Sequence, residues 1–408
     1  MKKKVLSVLL AGIMAFAMAA CGSSGSGSSA SSDSSGSDSS SSSSGDTIVI
    51  GSITPNTGGF ATAGLACVNG MDLAVEEINA AGGINGKQVE MKHMDDQMDS
   101  TECLNAFNSL VADGVSCIVG SLASSNTSAI TDAANEEETV LITPASTADS
   151  ITTEDDYVFR ACYADSFQGA IAAAYAKQQG YTDVGVVYCA ADTYSKGLYD
   201  SFKTACEKYG INIAAEESVA TMDVQDYTNQ FTSMVNAGVE FVYAPFYYDS
   251  VGPYVIPQAR AAGYTGIIMG EDGYDGTQGY VAEGTDLSVY NNVLWTNHFD
   301  PSGTEGKVPA FTKAYQDKFG EDPISYAALG YDCIYMLKQA MEKAGSEEAS
   351  AVRDALADTS EVYDCVTGKF SLDETGTPVK GAVIIEFYAD GDKISTKLKD
   401  TVDELPDS

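Results

Sequence analysis

Short β-rich runs alternate with helical segments along most of this chain, and this alternation constrains the fold more than any other feature. Runs rich in Val, Ile and other apolar residues predict strands at 47–53, 88–94, 115–120, 139–142, 184–189, 239–244, 266–269 and 293–296. The stretches between them predict helices at 64–80, 100–112, 125–135, 166–179, 195–209, 224–236 and 251–262. Strands and helices in this order are typical of βαβ units and parallel sheets. The sequence therefore predicts an α/β protein.

The last part of the chain adds helices and a hairpin to this pattern. We predict helices at 308–319 and 325–344, followed by a hairpin-like stretch at 369–388. From residue 46 onward roughly 360 residues remain, which is more than one hydrophobic core usually serves. Two lobes are therefore expected.

The first 45 residues have a different character. Lysines at positions 2–4, an apolar run over 5–20 and a final Ala19-Ala20 have the layout of a secretory signal peptide. Cys21 then resembles the lipidated cysteine of bacterial lipoproteins, although Met18 stands where their pattern usually has Leu. Residues 22–45 are almost wholly Ser and Gly, a composition that cannot bury apolar surface and stays flexible. We predict a signal peptide at 1–20 and a lipidated Cys21 with a tether at 21–45, held on the outer face of the bacterial cell membrane.

The charge of the chain limits its partners. There are 22 Lys and Arg against 58 Asp and Glu, a formal net charge of −36. A protein this acidic repels phosphate backbones and anionic lipid surfaces, which argues against nucleic acid as a partner. After the signal segment, no run of the sequence approaches the roughly 20 apolar residues that span a bilayer. The lipid on Cys21 is therefore the predicted contact with the membrane.

Eight cysteines remain besides Cys21, and none forms a Cys-x-x-Cys pair or a metal-like spacing. Cys117 and Cys189 lie in apolar, strand-like runs, where a thiol behaves as a small hydrophobe. Eight cysteines without a pattern indicate a weakly oxidising habitat at least as readily as disulfides. Among the pairings open to an exported protein, Cys333 with Cys365 is the least unfavourable candidate for a disulfide.

The sequence lacks the usual signatures of catalysis. It has no Gly-x-Ser-x-Gly elbow and no Ser-x-x-Lys. The glycines of 82–87 precede Gln88, where a phosphate-binding loop needs Ser or Thr. His93 and His298 are the only histidines, and neither has the neighbours of a zinc site. We predict no enzyme activity, no cofactor and no metal.

Two loops carry polar groups where strands end. Residues 120–127 (Gly-Ser-Leu-Ala-Ser-Ser-Asn-Thr) and 143–147 (Thr-Pro-Ala-Ser-Thr) offer hydroxyls and backbone N–H groups beside predicted helix starts. Such groups bind an anion without a cation. Helix capping by Ser and Thr explains either loop alone, but two consecutive loops favour an anion site.

Other strand ends carry acidic and aromatic residues. Residues 270–273 (Gly-Glu-Asp-Gly) place carboxylates at one strand end, where a surface turn is the alternative. Tyr194, Phe246, Tyr247 and Tyr248 follow other strand ends. Aromatic side chains at such places line ligand clefts or pack in the core.

Several segments, taken in order, carry a resemblance to a known family. The most distinctive is 78–86 (Ile-Asn-Ala-Ala-Gly-Gly-Ile-Asn-Gly), which follows 70–74 (Gly-Met-Asp-Leu-Ala). The others are 95–96 (Asp-Asp), 118–120 (Ile-Val-Gly), 142–145 (Ile-Thr-Pro-Ala), 258–263 (Gln-Ala-Arg-Ala-Ala-Gly) and 269–273 (Met-Gly-Glu-Asp-Gly). They resemble the branched-chain amino-acid binding proteins of ABC importers, which have the type I periplasmic binding fold. The likeness covers nearly everything from residue 47 to about residue 388.

The resemblance implies two Rossmann-like lobes with parallel-type sheets, joined by three hinge crossovers near 162–166, 296–303 and 375–380. The first lobe would comprise 46–163 and 297–374, and the second lobe 164–296 and 375–408. An amino acid would bind between the lobes, and the protein, a monomer, would deliver it to the membrane subunits of an ABC permease.

The resemblance also implies the two poles of a ligand site. Ser124 and Thr147, with backbone N–H groups of their loops, would hold the ligand carboxylate. The Ala145 carbonyl and Asp272 would meet the ammonium. Glu271 is adjacent, but alternation along an extended segment points it the other way.

The remaining residues implied by the resemblance enclose the ligand side chain. Tyr194 and Tyr247 would close over the ligand from the second lobe. An apolar cleft near Leu122, Phe60 and Phe246 favours Leu, Ile or Val first, with aromatic amino acids next.

The chain departs from the family pattern at two places. Met98 and Ala123 stand where relatives have a cysteine pair, so that disulfide is absent. Ala63 stands where relatives often have an aromatic residue, and Phe60 is the nearest substitute. Because Ala63 leaves extra room, aromatic amino acids are the second predicted class of ligand.

Three functions follow from these observations. The first is a lipid-anchored receptor that delivers an amino acid to an ABC permease. The second is a ligand sensor of the same fold for amides, urea or aromatic amino acids, which signals to a membrane partner. The third is a tethered hydrolase, against which the lack of a nucleophile–base set argues. The first is the predicted function.

Overall fold

The computed structural model describes residues 47–152, 157–403 and 405. The predicted signal peptide, Cys21 and the predicted tether lie outside these residues.

Fifteen strands form three sheets in the described part of the chain. In chain order the strands are β1 (Ile48–Thr54), β2 (Val89–Asp95), β3 (Cys117–Gly120), β4 (Val140–Thr143), β5 (Val158–Arg160), β6 (Asp183–Cys189), β7 (Asn212–Val219), β8 (Phe241–Tyr243), β9 (Ile267–Gly270), β10 (Val293–Asn297), β11 (Tyr363–Cys365), β12 (Gly368–Leu372), β13 (Pro378–Val379), β14 (Ala382–Asp390) and β15 (Lys393–Val402).

Helices alternate with these strands. In chain order they are α1 (Ala61–Ala80), α2 (Ser100–Ala112), α3 (Ser124–Ser128), α4 (Thr131–Glu136), α5 (Asp165–Gln178), α6 (Thr193–Tyr209), α7 (Thr228–Ala237), α8 (Tyr248–Ser250), α9 (Ile256–Ala261), α10 (Val308–Phe319), α11 (Ser325–Ala344) and α12 (Ala349–Leu356). A π-helical turn, Val251–Val255, joins α8 to α9.

The first sheet is wholly parallel, in the order β2-β1-β3-β4-β5. Every residue of β3 and β4 is buried, as expected for parallel strands covered on both faces. Helices α1 and α11 pack closely beside this sheet. A Cβ at Gly70 of α1 would lie only 2.0 Å from the carbonyl oxygen of Ala327 in α11, so the contact requires glycine.

The second sheet has the order β15-β14-β10-β9-β8-β6-β7. Strands β6 to β10 are parallel neighbours, whereas β14 pairs antiparallel with β10 and with β15. A third, antiparallel sheet of β11, β12 and β13 lies next to α11. We call the first sheet, the third sheet, α1–α4 and α10–α12 the first lobe. The second sheet and α5–α9 form the second lobe.

The chain passes between the lobes three times, at 161–164, 298–307 and 380–381. The predicted α/β class, the two lobes and the three crossovers are confirmed. The expected limits put residue 297 in the first lobe and residues 375–408 in the second. Strand pairing instead puts Asn297 in the second sheet and Pro378–Val379 in the third sheet. The lobe limits themselves stay a prediction.

One predicted helix, at 125–135, is two helices in the structure. The N–H groups of Ala129 and Ile130 donate to carbonyls only three residues earlier, those of Asn126 and Thr127. Such tight bonds end α3 in a 3-10 turn and give the chain a new direction before α4 begins.

Two helices of the second lobe also differ from the prediction. The helix predicted at 224–236 begins only at Thr228, because the Tyr227 N–H donates to the side chain of Gln258 and holds the preceding residues in a loop. The helix predicted at 251–262 begins as the π-helical turn Val251–Val255, which contains Pro253, whose nitrogen cannot donate a helical hydrogen bond. Only Ile256–Ala261 is α-helical.

The prediction missed four strands, β5, β7, β11 and β15, and two helices, the short α8 and α12. Strand β7 is an edge strand whose residues are mostly exposed or half-buried, and it contains Ala and Glu, which are uncommon in strands. Edge strands with polar outer faces lack the continuous apolar runs that identified the central strands.

The eight cysteines of the described residues are buried free thiols. The candidate disulfide between Cys333 and Cys365 is therefore wrong. Burial raises the pKa of the Cys117 and Cys206 thiols to about 12. They remain protonated and pack as small hydrophobes.

The described residues contain neither a membrane-spanning helix nor a metal-binding group. None of the helices there is both long enough and apolar enough to cross a bilayer. Nor do the His, Cys, Asp and Glu side chains of that part of the chain form a group of three or more that could hold a metal ion.

Candidate functional site

Two loops of the first lobe, after β3 and after β4, are joined by their own hydroxyls. The carbonyl oxygen of Ser121 accepts hydrogen bonds from the hydroxyls of Thr127 (3.2 Å), Thr143 (2.6 Å) and Ser146 (3.2 Å). All these groups are buried. The loops predicted to bind an anion therefore form one rigid unit. Several of their hydroxyls hold the two loops together.

Arg160, at the end of β5, fixes the second of these loops from behind. Its fully buried guanidinium donates to the carbonyls of Thr147 (2.9 Å), Ser146 (3.4 Å) and Asp149 (3.4 Å) and to the Thr152 hydroxyl (2.7 Å). Because the carbonyls turn toward Arg160, the loop is held in one conformation. Arg160 was not among the predicted site residues.

Ser124 and Thr147 lie in these loops and are both buried. The Ser124 hydroxyl accepts a hydrogen bond from the Ala148 N–H at 3.3 Å, which ties the two loops together again. The Thr147 hydroxyl is fully buried and has no hydrogen-bond partner. A buried hydroxyl without a partner is costly, so it marks a place where a ligand could bind.

Asp272 lies just after β9 in the second lobe and is 3% exposed. One of its carboxylate oxygens accepts from the Tyr194 hydroxyl at 2.8 Å, and the other lies 3.1 Å from Nε2 of His298. The Tyr194 oxygen also accepts from the Gly273 N–H at 2.9 Å. These bonds orient the carboxylate from one side and leave it capacity for further donors.

An aromatic cluster from both lobes lies beside these polar groups. The Phe60 ring, at the start of α1, packs at a centroid distance of 4.8 Å from Tyr247, 5.1 Å from Tyr248 and 5.7 Å from Tyr326. Tyr247 in turn stacks on Tyr194 at 4.8 Å. Edge-to-face and offset contacts at these distances are favourable, and the cluster forms an apolar wall next to Asp272.

The structure brings four of the predicted residues into contact. Tyr247 packs on both Phe60 and Tyr194, and Tyr194 donates to Asp272. Leu122 and Ala145 are buried in the same apolar cluster as these aromatic rings, but that cluster extends through both lobes. Their roles toward a ligand stay predictions.

Phe246 is an exception, because it lies in a different core cluster and packs edge-on against Tyr227 at 5.3 Å. Neighbouring residues of an extended segment face opposite sides, so when Tyr247 faces the cleft Phe246 cannot. Its expected place in the cleft is wrong.

Glu271 is also fully buried, and it accepts a hydrogen bond from the Thr296 hydroxyl, while its second oxygen has no partner. Burial raises the pKa of this carboxyl well above its usual range. Burial likewise raises the pKa values of the Tyr194 and Tyr247 hydroxyls, with nearby carboxylates adding to the rise. Both tyrosines therefore stay neutral hydrogen-bond donors.

Four polar residues near Asp272 were not predicted, namely His298, Tyr163, Gln168 and Asp165. His298 follows β10, and its ring stacks on that of Tyr163 at a centroid distance of 3.7 Å. Gln168 accepts from the Asp272 N–H at 3.3 Å. Asp165 is fully buried at the start of α5. Three of the four come from the first crossover and the start of α5, and the rule that ligands bind beyond strand ends did not point there.

A cavity of about 530 Å³ opens at the rim between the lobes. Phe60 and Ser125 line it from the first lobe, and Asp192 and Tyr247 line it from the second. This cavity provides a route from solvent toward the aromatic cluster.

Two lobes with parallel sheets, three crossovers and a polar, aromatic-walled contact between the lobes define a two-lobed ligand-binding protein. The chain belongs to the periplasmic binding protein family, whose model matches residues 47–392. Membership of this family implies a location outside the cytoplasm.

The similar proteins cover most of the chain. Leu/Ile/Val-binding protein homolog 3 of Brucella melitensis is 31% identical over 81% of this chain and 88% of its own length. The crystal structure of the leucine binding protein LivK from Thermotoga maritima is 28% identical with a TM-score of 0.78, covering 87% of this chain and 99% of its own. The branched-chain amino acid transporter substrate binding protein LivJ from Streptococcus pneumoniae, in complex with isoleucine, is 30% identical with a TM-score of 0.77, covering 86% and 99%.

Proposed function

We propose that this protein binds a branched-chain aliphatic amino acid between its two lobes and delivers it to an ABC importer. The observation that carries the proposal is the fully buried, unpartnered hydroxyl of Thr147 in a loop that Arg160 holds rigid. The names of the similar proteins, which specify leucine, isoleucine and valine, support the ligand class.

The first lobe would bind the ligand carboxylate. Thr147 and Ser124 supply hydroxyls, and backbone N–H groups of their loops add further donors. Neutral donors fixed in place before binding hold an anion without the cost of burying a cation, and each charge-assisted hydrogen bond contributes roughly 1.5–3 kcal/mol.

Asp272 and the Ala145 carbonyl would bind the ligand ammonium. Tyr194 and His298 already fix both oxygens of Asp272, so the carboxylate is oriented before the ligand arrives. Phe60, Leu122 and Tyr247 would surround the ligand side chain. Their apolar surfaces favour Leu, Ile or Val over a charged side chain.

Calorimetric titration tests these assignments. Leucine, leucinamide and N-acetyl-leucine differ only in whether the carboxylate and the ammonium are free, and we expect only leucine to bind well. Breaking a buried ion pair costs about 3–5 kcal/mol, so Asp272→Ala should weaken leucine binding by roughly a hundred- to several-thousand-fold.

Glu271→Gln is the matched control, since it neutralises the adjacent buried acid but preserves its shape and an oxygen to accept from Thr296. We expect it to bind leucine much like the wild type. Equal affinity for the blocked analogues, or an Asp272→Ala protein that binds like the wild type, would contradict this site.

Binding without catalysis, a monomeric state and anchoring through Cys21 are further parts of the proposal. The apolar run 5–20, the Ala19-Ala20 pair and the Ser/Gly tether support the anchor. We expect the wild type to incorporate a radioactive fatty acid and Cys21→Ala to incorporate none. A wild type that takes up no label would rule out the anchor and leave the ligand site untouched.

A further inference from the structure

One buried carboxylate connects the two lobes and has no role in the ligand site as proposed. Asp275 lies between β9 and β10 in the second lobe and is 7% exposed. Its Oδ2 accepts a hydrogen bond from the Ser325 N–H of the first lobe at 2.7 Å and another from the Asn297 side-chain amide at 3.0 Å. Hydrogen bonds to a carboxylate are stronger than those between neutral groups, so the contact with Ser325 is a strong link across the lobe boundary.

Helix α11 of the first lobe has no N-terminal cap from its own segment. Ser325 is its first residue, and the preceding Ile324 has no side-chain oxygen that could accept from the first turn. The first turn contains no acidic residue either. A carboxylate at this end satisfies an N–H group that has no partner within the helix, and it interacts favourably with the helix dipole. Asp275 therefore caps α11 from the opposite lobe.

Both sides of this contact continue into the proposed ligand site. In the second lobe, a 3-10 turn that begins at Asp272 leads directly to Asp275, whose N–H donates to the Asp272 carbonyl at 3.1 Å. In the first lobe, Tyr326 follows Ser325 and packs on Phe60 at a centroid distance of 5.7 Å. The contact therefore joins the turn that would bind the ligand ammonium to the aromatic wall of the first lobe.

The bond between Asp275 and Ser325 belongs to the closed arrangement of the lobes. Burial raises the pKa of the Asp275 carboxyl, the nearby Asp272 adds to the rise, and the bonds from Ser325 and Asn297 offset a part of it. Because Asp275 and Ser325 lie in different lobes, their bond breaks when the lobes separate. Water then surrounds the carboxylate, and α11 loses its cap.

We propose that Asp275 is a positioning residue for ligand binding, which caps α11 across the lobe boundary and so stabilises the closed, ligand-bound state. The inference rests on the proposed function. Asp275 acts through closure and does not touch the ligand, so it should strengthen the binding of leucine, isoleucine and valine by the same factor. Because the bond forms after the ligand has entered, it slows dissociation more than it speeds association.

Calorimetry and stopped-flow fluorescence of Asp275→Ala test this role. We expect leucine, isoleucine and valine all to bind roughly ten- to a hundredfold more weakly, mainly through faster dissociation. Asp275→Asn keeps an oxygen that can accept from the Ser325 N–H, and a cavity of about 610 Å³ beside Asp275 has room for the new amide nitrogen. This variant should bind leucine distinctly more tightly than Asp275→Ala.

Asp99→Ala is the matched control, because it removes a helix cap that lies within one lobe. Asp99 caps α2 by accepting from the N–H groups of Thr101 at 2.8 Å and Glu102 at 3.0 Å, and all three residues belong to the first lobe. In urea unfolding without ligand, Asp99→Ala should lose stability and Asp275→Ala should not, since the open state lacks the cap on α11. Leucine affinity should show the reverse.

The outcomes separate this inference from the proposed function. If Asp275→Ala binds leucine like the wild type, or loses as much ligand-free stability as Asp99→Ala, the inference fails while the proposed function stands. If Asp275→Asn loses as much affinity as Asp275→Ala, the negative charge acts on the ligand from a distance and the cap on α11 is not the cause, which also overturns the inference. If the wild type binds none of the three amino acids, the proposed function fails, and the inference fails with it.

Discussion

His298 illustrates how one buried side chain affects both the site and the stability of the fold. Its side chain is fully buried, stacks on Tyr163 and contacts Asp272 through Nε2, while Nδ1 has no partner. Burial lowers the pKa of His298 to about 4, and the hydrogen bond to Asp272 offsets only part of this effect. Lys380 lowers the pKa slightly more. At neutral pH the imidazole is uncharged and donates its Nε2–H to Asp272.

This lowered pKa predicts a loss of stability in acid. In the unfolded chain His298 takes up a proton near its ordinary pKa of 6.5, whereas in the folded protein it does so only near 4. Between these values the unfolded state holds more protons, so the stability that His298 contributes falls as the pH falls. From pH 7 to pH 5 this amounts to about 2 kcal/mol.

Urea unfolding of the wild type and of His298→Gln at pH 7 and pH 5 measures the effect. The glutamine amide can still donate to Asp272 but does not titrate. The wild type should lose more free energy of unfolding than the variant between pH 7 and pH 5. Buried acids change the stability in the opposite direction, but they are the same in both proteins, so their contribution cancels in the comparison. Equal losses would show that His298 titrates normally.

At the scale of the elements, the central strands were predictable and the edges were not. Strands such as β3 and β4 are buried on both faces, so their residues form continuous apolar runs that the sequence displays directly. Strand β7 lies at an edge and β15 at the opposite edge of the same sheet, and both are largely exposed or half-buried. Their composition resembles that of a loop.

The same contrast applies to the candidate site. Loops after parallel strands gather at one edge of a sheet, and this rule drew attention to the loops at 120–127, 143–147 and 270–273. The choice of Ser124, Thr147 and Asp272 within them came from the family resemblance. Tyr163 lies in the first crossover and Asp165 begins α5, and their nearness to Asp272 depends on how α5 packs against the second sheet. No local pattern records that arrangement. Phe246 was misplaced because adjacent residues of an extended segment face opposite sides, and the sequence does not say which side is the cleft.

At the scale of the whole molecule, the lobes are in direct contact. The Tyr280 hydroxyl of the second lobe donates to the Gly59 carbonyl of the first at 2.8 Å, and the Ala63 N–H of the first lobe donates to the Tyr248 hydroxyl at 3.1 Å. The Phe60 ring stacks on Tyr248. These contacts all lie near the start of α1 and hold the lobes in a closed arrangement.

Such contacts predict that ligand binding and closure are linked. A ligand that touches both lobes favours the closed state by those extra contacts, because three narrow crossovers allow the lobes to open when it leaves. X-ray scattering should therefore give a smaller radius of gyration with saturating leucine than without it. An unchanged radius at saturation would contradict the hinge mechanism.

Removing the contacts between the lobes is a second test of the link between ligand binding and closure. The double substitution Tyr248→Phe and Tyr280→Phe keeps both rings but deletes three hydrogen bonds, since the Tyr280 hydroxyl also bonds the Thr62 hydroxyl at 3.2 Å. Each contributes about 0.5–1.5 kcal/mol. Because these bonds form only on closure, leucine affinity should fall by roughly ten- to a thousandfold, and more leucine should be needed to reach the compact radius. Tyr315→Phe is the matched control, since its hydroxyl accepts from Asn69 at 3.4 Å within the first lobe. It should lose stability without losing affinity. If the double variant closes and binds like the control, these contacts do not stabilise the closed state.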